Sequence, residues 1–184
     1  MVEAALRVLA GQGLESFSVA KVAAEAGTTK ATVYSRYPNR MALIGAALAH
    51  LRVEDLPEPV GDVRRELIQL LDHMAAQYER IGGMSIVGSC LAAEQRMPEL
   101  LDTIRDSTFR PRRQTFIDAL TRGQQAGQIR DGIDLEQVVS GLIGAYYGDR
   151  LAGLDAGGPG WAERVVDLNL IGIAHPSYLH GQSS

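Results

Sequence analysis

A single cysteine, Cys90, stands in 184 residues, which excludes a disulfide framework and any zinc site built on cysteine. The four histidines, His50, His73, His175 and His180, include no pair four residues apart, the spacing that would put two ligands on one helical face. No glycine-rich phosphate-binding loop and no nucleophile motif is present. Aromatics make up only 5% of the chain. No apolar run approaches the ~20 residues that a membrane span requires. The opening "MVEAALRVLAGQG" carries an acid at position 3 and reads as a short amphipathic helix, not as a signal peptide. These absences predict a cytoplasmic protein with no membrane segment, no catalytic centre, no metal and no cofactor.

What is present becomes clearer when the charge is divided. Residues 1–52 hold six basic side chains (Arg7, Lys21, Lys30, Arg36, Arg40, Arg52) and three acidic ones (Glu3, Glu15, Glu25). That segment is therefore +3 within a chain of −4, which leaves −7 for the remainder. A small basic module joined to a larger acidic one points to an anionic partner for the front end.

Helical periodicity runs throughout, and no segment alternates at period two. Ser18 can cap a helix "VAKVAAEAG" that stops at Gly27, a residue that readily takes a left-handed C-cap. Thr28 or Thr29 can cap the next helix, which runs to about Tyr37 before Pro38 ends it. Asn39 then caps "RMALIGAALAHL". Around residues 54–62, "EDLPEPVGD" has two prolines and no apolar periodicity, which places the boundary between a domain at 1–52 and one at 53–184. Beyond it Val63, Leu67, Leu70, Leu71, Met74, Tyr78 and Ile81 recur at helical spacing. Further helices are predicted at about 84–94, 98–106, 108–127, 134–154 and 160–173, and the terminal "GQSS" reads as frayed.

Residues 28–37, "TTKATVYSRY", hold Val33 as their lone sizeable aliphatic side chain. A helix of about eight residues, a glycine turn and then a short polar helix is the helix-turn-helix arrangement. Ala23 supplies a small side chain where two crossing helices come close, and Val22 and Val33 can share the core. In a major groove, Thr29 and Lys30 would reach base edges, while Ser18, Thr32, Tyr34, Arg36, Tyr37 and Arg40 would bond flanking phosphates. A polar surface helix in an all-α protein is the competing reading of the same residues.

"SVAKVAAEAGTTKATVYSRYPNRMALIGAAL" resembles the DNA-binding domain of the tetracycline-repressor (TetR) family of bacterial transcription regulators. The matching frame holds Ser18, Ala23-Ala24, Ala26-Gly27, Thr29-Lys30, Thr32-Val33-Tyr34, Tyr37, Asn39-Arg40 and Leu43, within roughly residues 2–50. The resemblance implies phosphate contacts at Ser18, Tyr34, Arg36, Tyr37 and Arg40, and base contacts at Thr29, Lys30 and Ala20. It also implies an all-α fold, with an N-terminal three-helix DNA-binding domain and a C-terminal helical domain for ligand binding and dimerisation. Three departures stand out. Met41 and Ala42 replace the acids that usually start the fourth helix, Arg36 stands where a histidine is frequent, and the chain begins without the basic lead-in many members carry. Missing phosphate contacts from such an arm are expected to lower DNA affinity.

In "DLEQVVSGLIGAYYGDRLAGL", residues 134–154, Leu135, Val138, Leu142 and Tyr146 form one stripe. Gly141, Gly144 or Ala145, Gly148 and Ala152 form a second, nearly bare one. Glycine costs up to ~1 kcal/mol in a helix interior, so such a stripe calls for close approach of another backbone, within the chain or from a second copy. The resemblance selects a homodimer. In it this helix and "WAERVVDLNLIGIA", with Trp161 and Val165, pair with their copies as a four-helix bundle. A two-fold dimer suits a palindromic double-stranded operator.

The resemblance further implies a small-molecule effector. Candidate pocket residues are His73, Met74, Tyr78, Cys90, Phe109, Phe116 and Tyr146, joined by Met84 and Tyr147, because sulfur and aromatic side chains adapt to varied apolar ligands. Ordinary core residues would read the same way. Cys90 reads as an inert small hydrophobe, since nothing near it in sequence lowers its pKa. Arg110, Arg112 and Arg113 in "FRPRRQTF" could meet a carboxylate or phosphate, although a solvated face suits such a run better. The expected mechanism has two states. The unliganded dimer holds its recognition helices about 34 Å apart, matching successive major grooves, and an effector releases DNA by retilting helix 40–52. An architectural or ligand-independent DNA-binding dimer is the alternative, with less reason for so large a rear domain.

Overall fold

The computed structural model describes residues 1–171, and all its regular elements there are helical. His175, His180 and "GQSS" lie outside the described residues. The chain divides into two compact units, one of Met1–Leu56 with Ala76–Thr115 and one of Pro57–Ala75 with the chain from Phe116 onward.

The first unit is built on α1 (Val2–Ser16), α2 (Val19–Glu25), α3 (Lys30–Tyr34) and α4 (Arg40–Ala49). Each short helix starts where a side-chain oxygen can take an orphan amide. Ser18 Oγ accepts from the Lys21 N–H, Thr29 Oγ1 from Thr32 and Asn39 Oδ1 from Ala42. Such a cap stabilises by about 1 kcal/mol, which matters most in helices this short. Gly13 breaks the regular geometry of α1 at φ +69°, and Gly27 turns the chain between α2 and α3 at φ +61°. A β-carbon would strain both positions. Helix α3 is shorter than the sequence predicts. Regular geometry ends at Tyr34, and the amides of Arg36 and Tyr37 both fold back onto the Val33 carbonyl at 3.1 and 2.9 Å.

The rest of this unit is the end of α5 (Val63–Ile81), then α6 (Gly83–Ala92), α7 (Pro98–Ile104) and the start of α8 (Arg110–Gln125). Helix α1 packs on α2, α4 and α6, and α4 packs on α7. Leu9, Phe17, Val22, Val33, Leu43, Ile44, Leu48, Ile86 and Leu101 form the apolar interior. The sequence predicts a break between residues 106 and 108. Instead α7 passes into α8 through a π-helical turn, Arg105–Phe109. Pro111 follows at once and has no N–H to return to the preceding turn, so a regular α-helical bond is missing beside the π turn.

The second unit contains the front of α5, the remainder of α8, α9 (Leu135–Leu151) and α10 (Trp161–Ile171). The buried stripe of α9 is Val139, Leu142, Ile143 and Tyr146, an i, i+3, i+4, i+7 set. It is rotated from the stripe read in sequence, for Leu135 and Val138 are only half-buried. The Tyr146 ring meets Trp161 edge-on at 5.8 Å, and Trp161 Nε1–H donates to Asp149 Oδ2 at 2.8 Å.

Glu66 is the charged anchor of this unit. Its carboxylate is buried and accepts from the amides of Val60 and Gly61 (2.9 and 2.8 Å) and from Arg122 (2.7 Å). Burial alone would push its pKa up. The Arg122 guanidinium and the two amides outweigh burial and hold it below the usual carboxylate value. A depressed folded-state pKa stabilises the fold above the unfolded value, and that contribution fades as pH falls through the folded one. Glu66→Gln is therefore expected to cost about 1–3 kcal/mol at neutral pH. In urea melts at acidic pH, where wild-type Glu66 is protonated too, the difference should close. A constant difference across pH would mean that packing, not charge, is responsible.

Candidate functional site

Val33 faces the first unit's interior, against a core that holds Val22 and Ala23, and leaves the remainder of α3 to solvent. Thr29, Lys30, Thr32 and Arg36 are exposed, and Tyr34 is 51% exposed. Ser18, Ala20 and Tyr37 are half-buried beside them. The Thr29 and Thr32 hydroxyls lie 2.9 Å apart, so the cap of α3 is a small hydroxyl pair. Lys21 is also exposed, with its Nζ donating to the Ser16 carbonyl at 2.9 Å. The result is a polar, basic ridge on a capped turn.

Arg40 is used differently from its neighbours. Its Nε donates to the Phe17 carbonyl at 3.0 Å, Nη2 donates to the Leu14 carbonyl, and its Cζ lies 5.9 Å over the Phe17 ring. Helix α1 has no basic residue in its own last turn. Arg40 supplies a cation there, where a helix C-terminus leaves carbonyls unsatisfied. It thereby ties the start of α4 to the end of α1.

The effector candidates are dispersed. Tyr78 and Cys90 are buried and Phe109 half-buried in the first unit, while Met74, Phe116 and Tyr146 are buried and His73 half-buried in the second. Met84 and Tyr147 are half-buried. Burial pushes the Cys90 thiol up to about 11, which leaves almost no thiolate at neutral pH. In the first unit a small cavity of about 10 Å³ is lined by Leu51, Tyr78, Ile81, Gly83, Ile86, Val87, Ile104, Thr108 and Arg112. That is room for about one water. Met74 and Phe116 do not line it.

Arg112 is the residue whose burial the sequence concealed. In "FRPRRQTF", Arg110 is exposed and paired with Asp106, and Arg113 is half-buried. Arg112 is only 4% exposed, bonded through Nη2 to Gln77 Oε1, with Cζ 4.8 Å from the centre of the Tyr78 ring.

On α9 the small residues look outward. A β-carbon on Gly144 or Gly148 would meet nothing within 4 Å, and one on Gly141 would meet Asn169 Oδ1 at 3.0 Å. Ala145 is half-buried and Ala152 exposed. Val165 is half-buried, and Trp161 belongs to the interior of its own chain. Leu151 (81% exposed), Leu154, Leu168 and Ile171 (84%) stand in solvent on or beside the same two helices, an apolar surface that the glycine stripe alone does not announce. The clue was available in α10, where Val165, Val166, Leu168, Leu170 and Ile171 leave few positions for a polar face.

Residues 1–47 match the model of "Bacterial regulatory proteins, tetR family", and residues 57–168 match "Tetracyclin repressor-like, C-terminal domain". The chain belongs to the tetR family. It is a DNA-binding transcription regulator of the helix-turn-helix type, and its relatives are regulators, not enzymes. The DNA-binding transcriptional repressor TetR of Mycobacteroides abscessus is 29% identical over 182 residues, 96% of this chain and 93% of that protein. The solved tetR-family regulator SCO0332 superposes with a TM-score of 0.69 at 26% identity, covering 95% of this chain and 96% of that one. FadR of Bacillus subtilis, solved with stearoyl-CoA, shares the fold with a TM-score of 0.72 at 22% identity, over 94% and 97% of the two chains. Among the described residues no helix is long and apolar enough to cross a membrane.

Within this tetR-family frame the departures noted in sequence have structural counterparts. The first turn of α4 holds no acid, and Asn39 caps it through a hydrogen bond of 2.8 Å to the Ala42 amide. Arg36 is exposed where a histidine is frequent in the family, and extends the basic ridge.

Proposed function

We propose that the protein is a homodimeric repressor that binds a palindromic operator and leaves it when a small molecule binds. The observation that carries the DNA half is α3, a capped helix with a single buried residue and Thr29, Lys30, Tyr34 and Arg36 outward. Residues 1–52 would hold DNA, with Ser18, Ala20, Thr32, Tyr37 and the α4 start flanking the groove. Residues 53–184 would dimerise and take the effector. Support for dimerisation comes from the exposed small and apolar surface of α9 and α10, and support for repression from the Mycobacteroides relative's description. FadR supports the effector half, since a protein of the same fold holds an acyl-CoA.

A second reading keeps the dimer and removes the effector. The small volume of the cavity favours it, because no drug-sized molecule enters about 10 Å³ without movement of the walls. Selection of bound fragments from random DNA, followed by footprinting, tests the first half. Two protected half-sites with centres one helical turn apart are expected. Binding without sequence preference would refute the operator reading. Screening metabolites for loss of that footprint then separates the two readings.

A further inference from the structure

Arg112 places a cation where a core would put hydrocarbon. Solvent does not reach its Nη1, and that nitrogen has no hydrogen-bond partner among the described residues. The contacts shown for the guanidinium are neutral, the Gln77 amide oxygen and the face of Tyr78. Guanidinium stays charged in proteins, and a buried charge with an unmade hydrogen bond is costly unless something else meets it. The same side chain lines the small cavity, whose other walls include Leu51, Ile81, Ile86, Val87 and Ile104. Gly83 leaves room for the Tyr78 ring beneath the cation, because a β-carbon there would lie 2.0 Å from the ring.

We propose that this site receives the carboxylate of a small amphipathic acid, with Arg112 holding the anion and the apolar walls taking its body. This deepens the effector reading above and rests on it. A single guanidinium fork in an otherwise apolar wall suits a monocarboxylate, whose two oxygens match two parallel N–H donors.

The surroundings say how occupancy reaches the DNA-binding helices. Gln77, which accepts from Arg112, donates through Nε2 to the Arg52 carbonyl at 2.8 Å. Thr108 donates to the Leu51 carbonyl, and Ser107 donates to the Leu48 carbonyl at 3.1 Å. Three carbonyls at the end of α4 are thus latched by groups around the cavity. A carboxylate on Nη1 and Nη2 displaces the Gln77 oxygen. Its hydrocarbon body must part a wall that includes Leu51 and Thr108. The π turn that carries Ser107 and Thr108 is the irregular part of that wall, and such turns recur where helices adjust at functional sites. The acid therefore binds best to a state in which the end of α4 is unlatched, which is the differential affinity that a population shift requires.

Thermal melts of the full chain with octanoate and benzoate, beside 1-octanol and benzamide, test the site. The acids are expected to raise the melting temperature saturably and the neutral counterparts are not. Arg112→Met should lower acid affinity by about tenfold or more, and Arg112→Lys, which keeps charge but loses the fork, should fall between. Arg112→Met keeps a long, flexible side chain at a buried position. Should it fail to fold, Gln77→Leu gives an independent reading, because removing the competitor should tighten acid binding. The proposal is overturned if no acid shifts the melt, if neutral compounds shift it equally, or if Arg112→Met leaves acid affinity unchanged. Operator binding read in the same titrations separates the two claims. Acid binding through Arg112 without loss of DNA affinity sustains the anion site and refutes the effector reading. Release of DNA by a neutral compound alone refutes the anion site and sustains that reading.

Discussion

Lys30→Ala is expected to cut operator affinity by about 1–3 kcal/mol in each half-site if the ammonium reads a base edge. A dimer carries the change twice, so the complex weakens by roughly 30-fold at the least. The fold should be untouched, since Lys30 is exposed at the first position of α3 and the core beneath is supplied by Val33. Anisotropy titrations over a range of salt tell two contact types apart. Loss of a base contact relaxes preference at one position per half-site. Loss of a phosphate contact weakens all sequences evenly and lowers the salt slope by about one per contact. Tyr34→Phe removes one hydroxyl from the same exposed face and should act in the same direction, by a smaller amount. Unchanged affinity in both variants would remove α3 from the groove.

The ridge that carries this prediction was legible because local chemistry dictates it. Ser18, Thr28 or Thr29, and Asn39 announce three helix starts and Gly27 announces a turn, and the structure uses Ser18, Thr29, Asn39 and Gly27 for those purposes. Such signals act within a few residues and need no tertiary context. Arg40 and Arg112 were not legible in the same way. Each bonds a partner 23 to 35 residues away, Phe17 and Leu14 for one and Gln77 for the other. A charged side chain in a basic run looks solvated until the fold decides which member turns inward. In "FRPRRQTF" periodicity was no guide, because the π turn at 105–109 shifts the phase of every residue after it. The α9 stripe was legible only in part for a related reason, with Leu142 and Tyr146 inward as expected but Val139 and Ile143 buried in place of Leu135 and Val138. Valine, leucine and isoleucine occupy adjoining positions there, and only packing decides which of them face inward.

Gly148→Leu is expected to weaken dimerisation by roughly 30-fold or more while leaving each chain folded. Within the chain a β-carbon at Gly148 meets open space, and the position lies on an exposed face of α9. Replacing glycine in an exposed helix interior favours the helix by up to about 1 kcal/mol, so the isolated chain should melt no lower than before. A second copy docked on that face reverses the sign. Two backbones that approach over glycine leave no volume for a branched side chain, overpacking costs about 1–3 kcal/mol, and a two-fold interface counts it twice. Loss of about 2–6 kcal/mol weakens the dimer by roughly 30-fold to 25,000-fold, and about 4 kcal/mol or more carries a nanomolar dimer into the micromolar range. DNA binding would follow, because one recognition helix contacts only one half-site. Sedimentation at micromolar concentration should therefore show a wild-type dimer, and a dilution series should show the Gly148→Leu dimer dissociating at concentrations roughly 30-fold or more higher than wild type, with circular dichroism unchanged in helix content. Leu151→Glu and Ile171→Glu, at the apolar positions most exposed on α9 and α10, should reproduce the weakening without touching a glycine. A wild-type monomer at that concentration would refute the homodimer. A Gly148→Leu protein that dissociates no more readily than wild type would move the interface off this face of α9.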